Sequence, residues 1–113
     1  MLKISVEPDA VQGVSVMKVE GRVDSDSAPE LDEALSELLR ANCNKIVVNL
    51  AAVDFLSSAG LRALVRAYQG AQKAAGNVRL AAVPEAIQGI LLTVGLNQML
   101  RAYPSDAEAI SGF

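Results

Sequence analysis

The stretch KIVVNLAAVDFLSSAGLRALV, residues 45–65, changes its hydrophobic pattern part-way along. Residues 45–51 are an almost unbroken apolar run rich in β-branched side chains, which is typical of a buried central strand. From Leu61 the apolar residues recur at helical spacing, with Leu64 and Val65 three and four positions later. A buried strand that leads directly into an amphipathic helix predicts an α/β fold with a mainly parallel sheet.

The rest of the chain alternates between the same two patterns, so that the predicted order is β-β-α-β-α-β-α-β-α. The predicted strands cover residues 2–7, 14–20, 45–51, 77–83 and 97–103. The predicted helices cover residues 29–41, the segment from the serines at 57 and 58 to near Gly76, residues 84–96, and residues 105–113. Gly95 is expected at the C′ position of the third helix, and Ser105 and Asp106 are cap candidates for the fourth. The first two strands are close enough in sequence for a hairpin, which makes the sheet mixed. We expect one domain, residues 1–113.

The composition argues against several classes of function. Ten Lys and Arg residues stand against 13 Asp and Glu residues, and the basic ones are scattered, which disfavours nucleic acid binding. Histidine is absent, and the sequence has neither a metal-binding loop signature nor a cofactor loop, so we expect no metal, no cofactor and no enzymatic activity. The single cysteine, Cys43, cannot form an intrachain disulfide. No apolar run approaches the roughly 18 residues of a membrane span and no signal peptide precedes the first strand, so we expect a cytoplasmic protein.

The junction between strand and helix is rich in small and hydroxyl-bearing residues. Ser57 or Ser58 can cap the helix, and a helix N-terminus also tolerates an anion such as a phosphate. Ala59 and Gly60 are small, which predicts a low tip with the hydroxyls outermost. The segment lacks both the G-x-S-x-G elbow and the P-loop pattern. Two interpretations stay open on this chemistry: two capping serines, or a serine that enters the active site of another protein.

Three segments of the chain resemble STAS domains, and in particular the stand-alone anti-sigma factor antagonists of bacteria. VVNLAAVDFLSSAGLRALV is similar to the family pattern V-x-[FY]-[ILM]-[DS]-S-[STA]-G-L followed by a helix. VEGRVDSDSAPELDEALSELL is similar to a G-x-[LIV]-D segment followed by an acidic helix. AIQGILLTVGLNQMLRAYPSDAEAI is similar to the third helix, Gly-Leu turn, last strand and terminal helix of the family.

This resemblance implies a mixed sheet with helices packed mainly on one face, and regulated binding in place of catalysis. The implied partner is an anti-sigma factor that is also a serine kinase of histidine-kinase-like fold. It binds the unphosphorylated antagonist, releases a sigma factor, and switches the antagonist off by phosphorylating it. A PP2C-type phosphatase reverses the modification. The implied phosphoacceptor is Ser58, with Ser57 as the alternative because it replaces the aspartate of many members.

The resemblance also implies a docking surface around the junction. Its expected members are Asp24, Ser57, Ser58, Ala59, Gly60 and Arg62. Seven acidic residues between positions 20 and 37 form either a solvated face or a docking edge for a basic partner. A second hypothesis keeps the fold and makes the chain a scaffold, or a subunit of a larger signalling or lipid-transport complex.

Overall fold

A computed structural model describes residues 2–9, 13–111 and 113, and within them the chain forms five strands and four helices in the predicted order. The strands are β1 (Lys3–Asp9), β2 (Val14–Val23), β3 (Lys45–Leu56), β4 (Asn77–Ala81) and β5 (Ala102–Tyr103). The helices are α1 (Ala28–Arg40), α2 (Ser58–Lys73), α3 (Glu85–Thr93) and α4 (Asp106–Ser111). None of these helices is long and apolar enough to cross a membrane.

The five strands form one sheet in the order β1-β2-β3-β4-β5. The β1–β2 hairpin is antiparallel and the other three pairs are parallel, which confirms the mixed, mainly parallel sheet. Each crossover therefore advances by one strand in the same direction. Because such crossovers are right-handed, α1, α2 and α3 lie on the same face of the sheet.

The core has two parts, one on each face of the sheet. Met17, Leu64 and Leu80 are fully buried between the sheet and the first three helices. On the opposite face, Val47 packs in a smaller cluster with Ala109 of α4. Neighbouring strand residues enter different clusters because side chains alternate between the faces of a strand. The expectation that the helices pack mainly on one face is confirmed.

Local capping chemistry was predicted well. Gly95 has φ +78°, and the amides of Gly95 and Leu96 donate to the carbonyls of Leu92 and Leu91 at 3.2 and 2.9 Å. These bonds form a Schellman motif at the end of α3. At the start of α4, the Ser105 hydroxyl accepts from the Glu108 amide at 3.3 Å.

Strand lengths were predicted less well. The prediction of a strand over residues 97–103 is wrong except at its end, because the Leu100 amide donates to the Leu96 carbonyl at 2.8 Å and the chain turns there. β3 continues five residues past the predicted end at Ala51, to Leu56, and β2 continues to Val23. The turn predicted after the first strand begins later than expected, and residues 10–12 of it lie outside the described residues.

Candidate functional site

The extension of β3 along β2 builds the site. Val23, the last residue of β2, pairs with Leu56, the last residue of β3. One position further on, the Ser57 amide donates to the Val23 carbonyl at 2.8 Å. The β3–α2 junction and the loop that follows β2 therefore lie side by side. They lie at the carboxyl ends of parallel strands, where α/β sheets usually carry their binding sites.

Ser57 is the N-cap of α2, and its polar groups are used within the chain. Its backbone is extended, with φ −79° and ψ 170°. Its hydroxyl oxygen accepts from the Gly60 amide at 3.2 Å, and its carbonyl accepts from the Leu61 amide at 3.0 Å. The side chain is half-buried. Ser57 thus fulfils the capping interpretation of the junction.

Ser58 is placed differently from its neighbour. It is the first residue of α2 and is exposed. Its hydroxyl makes no hydrogen bond to any residue in the described part of the chain. The hydroxyl is therefore available to a group from outside the molecule, while the backbone that carries it is held by the preceding cap.

Gly60 lies inward, towards the ends of β2 and β3. It is buried, and a Cβ atom built on it would lie 2.7 Å from both Val23 Cγ1 and Leu56 Cδ1. The missing side chain lets the first turn of α2 approach the ends of β2 and β3. Ala59 is half-buried beside it, so the exposed part of the tip consists mainly of Ser58.

Asp24 organises the loop between β2 and α1. Its carboxylate accepts from the amides of Asp26 and Ser27, each at 3.0 Å. The buried Ser27 hydroxyl donates to the Arg22 carbonyl at 2.7 Å and accepts from the Asp24 amide at 2.9 Å. Hydrogen bonds from Ser27 hold the pKa of Asp24 below its ordinary value, with a smaller contribution from the Arg22 charge. The predicted docking residue Asp24 thus has a structural task as well.

Two residues beside the junction were not singled out from the sequence. Phe55 is 37% exposed, and the Arg22 guanidinium lies 4.0 Å from the centroid of its ring. The two residues are opposite each other in the β2–β3 register. The available signal was the alternation along β3, which turns Leu56 inward and hence Phe55 outward.

A groove of about 180 Å³ separates the first turns of α1 and α2. Arg62 and Arg66 line it from α2, and Asp32 lines it from α1. Arg66 Nη1 lies 3.0 Å from Asp32 Oδ2 and so ties the two helices together. Arg62 is exposed. No carboxylate oxygen among the described residues lies within 4.0 Å of its guanidinium nitrogens, the distance limit of an ion pair. Within residues 2–9, 13–111 and 113, no group of acidic or cysteine side chains could hold a metal ion.

Comparison with known proteins identifies the family. The model of the STAS domain matches residues 5–109. The chain belongs to the STAS domain family. The anti-sigma-F factor antagonist RsfB of Mycobacterium tuberculosis is 28% identical over 102 residues, which cover 88% of this STAS domain and 81% of RsfB.

Solved structures agree with this assignment. An anti-sigma factor antagonist from Mycobacterium paratuberculosis has a TM-score of 0.88 and 29% identity, over 99% of this STAS domain and 93% of that chain. The Bacillus protein SpoIIAA, solved in its phosphorylated form, has a TM-score of 0.74 over 97% of this chain and 98% of its own. At 16% identity, SpoIIAA shares the fold alone.

Proposed function

We propose that this STAS domain is a cytoplasmic anti-sigma factor antagonist, a binding protein that is switched off by phosphorylation of Ser58. The observation that carries the proposal is the exposed Ser58 hydroxyl, which has no hydrogen bond within the described residues. The assignment of the output to a sigma factor pathway is supported by RsfB and by the Mycobacterium paratuberculosis protein, which are named as antagonists of this kind.

The geometry favours Ser58 over Ser57 as the phosphoacceptor. A kinase that used Ser57 would have to break the hydrogen bond from the Gly60 amide and free a half-buried side chain. The cost of losing a serine cap is about 1 kcal/mol. Ser58 can enter a kinase active site with α2 intact.

The proposed cycle moves one phosphoryl group. The partner, an anti-sigma factor with a serine kinase of histidine-kinase-like fold, transfers the γ-phosphoryl group of ATP to Ser58 Oγ, and ADP and the hydroxyl proton leave. A PP2C-type phosphatase transfers the group to water and restores the hydroxyl. Phosphorylation adds about 1.5 to 2 negative charges at neutral pH. At the N-terminus of α2 this charge is tolerated by the helix dipole, so the fold is retained while the docking surface changes its charge.

The proposed docking surface surrounds Ser58 at the carboxyl edge of the sheet. Asp24 belongs to this surface because it lies in the loop beside the junction. Arg62 belongs to it because it lies one turn after Ser58 on α2. Ala59 borders the groove between α1 and α2. Gly60 contributes by packing, because it brings the helix start against Val23.

Phosphorylation by purified anti-sigma factors of this kinase class, with ATP, tests the proposal. The site is located by mass spectrometry in the wild type, Ser57→Ala and Ser58→Ala. We expect one phosphate on the wild type and on Ser57→Ala, and none on Ser58→Ala. Binding to the same anti-sigma factor should be strong before modification and at least about tenfold weaker after it, which corresponds to roughly 1.4 kcal/mol.

Three outcomes would count against the proposal. Phosphate found on Ser58→Ala would show that the phosphoacceptor is another residue. Equal affinity of the phosphorylated and unphosphorylated forms for the anti-sigma factor would show that phosphorylation does not control binding. A chain that no kinase of the panel modifies, and that assembles into large oligomers, would support the scaffold hypothesis.

A further inference from the structure

Arg62 lies one helical turn after Ser58 on α2. The two residues are at positions i and i+4, and both are exposed. Side chains at this spacing lie on the same helix face, with their Cβ atoms roughly 6 Å apart. A group attached to Ser58 Oγ therefore comes within reach of the Arg62 guanidinium without any change of the backbone.

The charge of Arg62 is not engaged within the described part of the chain. Arg22, Arg40 and Arg66 each form an ion pair with a carboxylate, at distances between 2.8 and 3.7 Å. Arg62 has no such partner among the described residues, although Asp32 borders the same groove, because Asp32 is paired with Arg66. The competing arginine of the groove is thus occupied and Arg62 is available.

We propose that the phosphate on Ser58 takes Arg62 as an ion-pair partner within the same chain. The inference rests on the proposed phosphoacceptor and deepens its regulation. Phosphorylation then changes the docking surface twice: it adds negative charge at Ser58 and it withdraws the positive charge of Arg62 from the partner. An anti-sigma factor that contacts Arg62 through an acidic group loses that contact at the same moment.

The chemistry of the two groups suits this pairing. A guanidinium presents parallel N–H donors that match two phosphate oxygens, and the phosphate is fixed beside it by a covalent bond. The other charged groups around the junction form two pairs, Arg22 with Asp24 beside the helix start, and Arg66 of α2 with Asp32 across the groove. The aspartates repel the phosphate, and Arg22 and Arg66 are each paired with one of them, so Arg62 is the cation that we expect to hold the phosphate.

The test installs phosphoserine at position 58 during translation, so that no kinase is needed. The second pKa of the phosphate, ordinarily about 6, is then measured by phosphorus NMR in the wild type, Arg62→Gln, Arg62→Lys and Lys73→Gln. Lys73→Gln is the matched control, since it removes an equal charge from the last turn of the same helix and breaks no ion pair among the described residues. Circular dichroism verifies that each variant is folded.

We expect the second pKa to be about half a unit lower in the wild type than in Arg62→Gln, because the nearby cation favours the dianion. Arg62→Lys should lie between them, since an ammonium keeps the charge and lacks the planar fork. Lys73→Gln should match the wild type, and about 1 M salt should reduce the difference between the wild type and Arg62→Gln. Equal values in the wild type and Arg62→Gln would overturn the inference. Failure of every kinase to modify Ser58 would instead refute the proposed function and leave this titration unaffected.

Discussion

Replacement of Gly60 by alanine probes the packing that positions the site. Gly60 is the third residue of α2, and it is buried against the ends of β2 and β3. The new Cβ atom would lie 2.7 Å from Val23 Cγ1 and 2.7 Å from Leu56 Cδ1. The leucine methyl is the end of a flexible side chain and can move aside. Val23 is stiff at χ1 and lies on a paired strand, so the helix itself must shift.

Two opposing effects set the size of the change. Alanine stabilises a helix by up to about 1 kcal/mol relative to glycine. Overpacking of a well-filled core costs roughly 1 to 3 kcal/mol. The steric cost exceeds the helix gain because one of the two contacts cannot relax, so we expect Gly60→Ala to lower the free energy of unfolding by about 1 kcal/mol. For a domain of this size that corresponds to a fall of about 4 °C in Tm.

Gly89→Ala is the matched control, since Gly89 lies within α3 and a Cβ atom there meets nothing within 4 Å. We expect this variant to be more stable than the wild type by up to about 1 kcal/mol. Urea unfolding of the two variants should therefore differ by about 2 kcal/mol. A Gly60→Ala variant that is stabilised as much as Gly89→Ala would contradict this prediction, because it would show that α2 does not need close contact with the strands.

Three further predictions concern the cap, the loop and the terminal helix. Ser57→Ala should lower the free energy of urea unfolding by about 1 kcal/mol through loss of the cap, whereas Ser58→Ala should change it by less than about 0.5 kcal/mol. The lowered pKa of Asp24 means that its carboxylate stabilises the fold above its ordinary pKa of 3.8, and that this contribution is lost as the pH falls through the lower folded value. Asp24→Asn should therefore have a lower Tm than the wild type at neutral pH, and its Tm should fall less steeply than that of the wild type in acid. Equal slopes of Tm against pH in the two proteins would contradict this. Arg79 donates to a carbonyl of α4 at 2.9 Å and lies 4.2 Å from the ring of the C-terminal phenylalanine. Arg79→Met should thus lower the free energy of unfolding by about 2 kcal/mol and speed amide exchange in α4. The control Arg40→Met, which breaks an exposed ion pair, should lower it by less than about 0.5 kcal/mol. Equal losses in the two variants would contradict the role of Arg79 in holding α4.

The strand boundaries show where sequence patterns stop being informative. The apolar run of β3 predicts a strand only to Ala51, yet β3 pairs with β2 as far as Leu56. The extension depends on the end of β2, whose glycine and charged residues predict a loop. Strand length is decided by the partner strand, because strand preference reflects packing on a sheet more than a property of the local chain. The length of β5 was overestimated, since residues 97–100 form a local turn and do not pair with β4.

The site shows the same division. Both serines were expected at the start of a helix, because hydroxyls there can satisfy unpaired amides. Which hydroxyl is committed to the cap depends on the backbone of Ser57, which the bond to Val23 holds extended. The burial of Gly60 against Val23 cannot be predicted from the sequence, because the two residues are 37 positions apart in the chain.

Local sequence patterns were enough to predict the order of the elements, the mixed sheet, the cap at Gly95 and the resemblance to STAS domains. Each of these follows from periodicity or from chemistry within a few residues. The tertiary structure alone decided that the Ser58 hydroxyl is exposed without a partner among the described residues. It also decided that Asp32, which is 34 positions away in sequence, engages Arg66 and leaves Arg62 available. Asp32 and Arg66 come together only because α1 and α2 pack on the same face of the sheet.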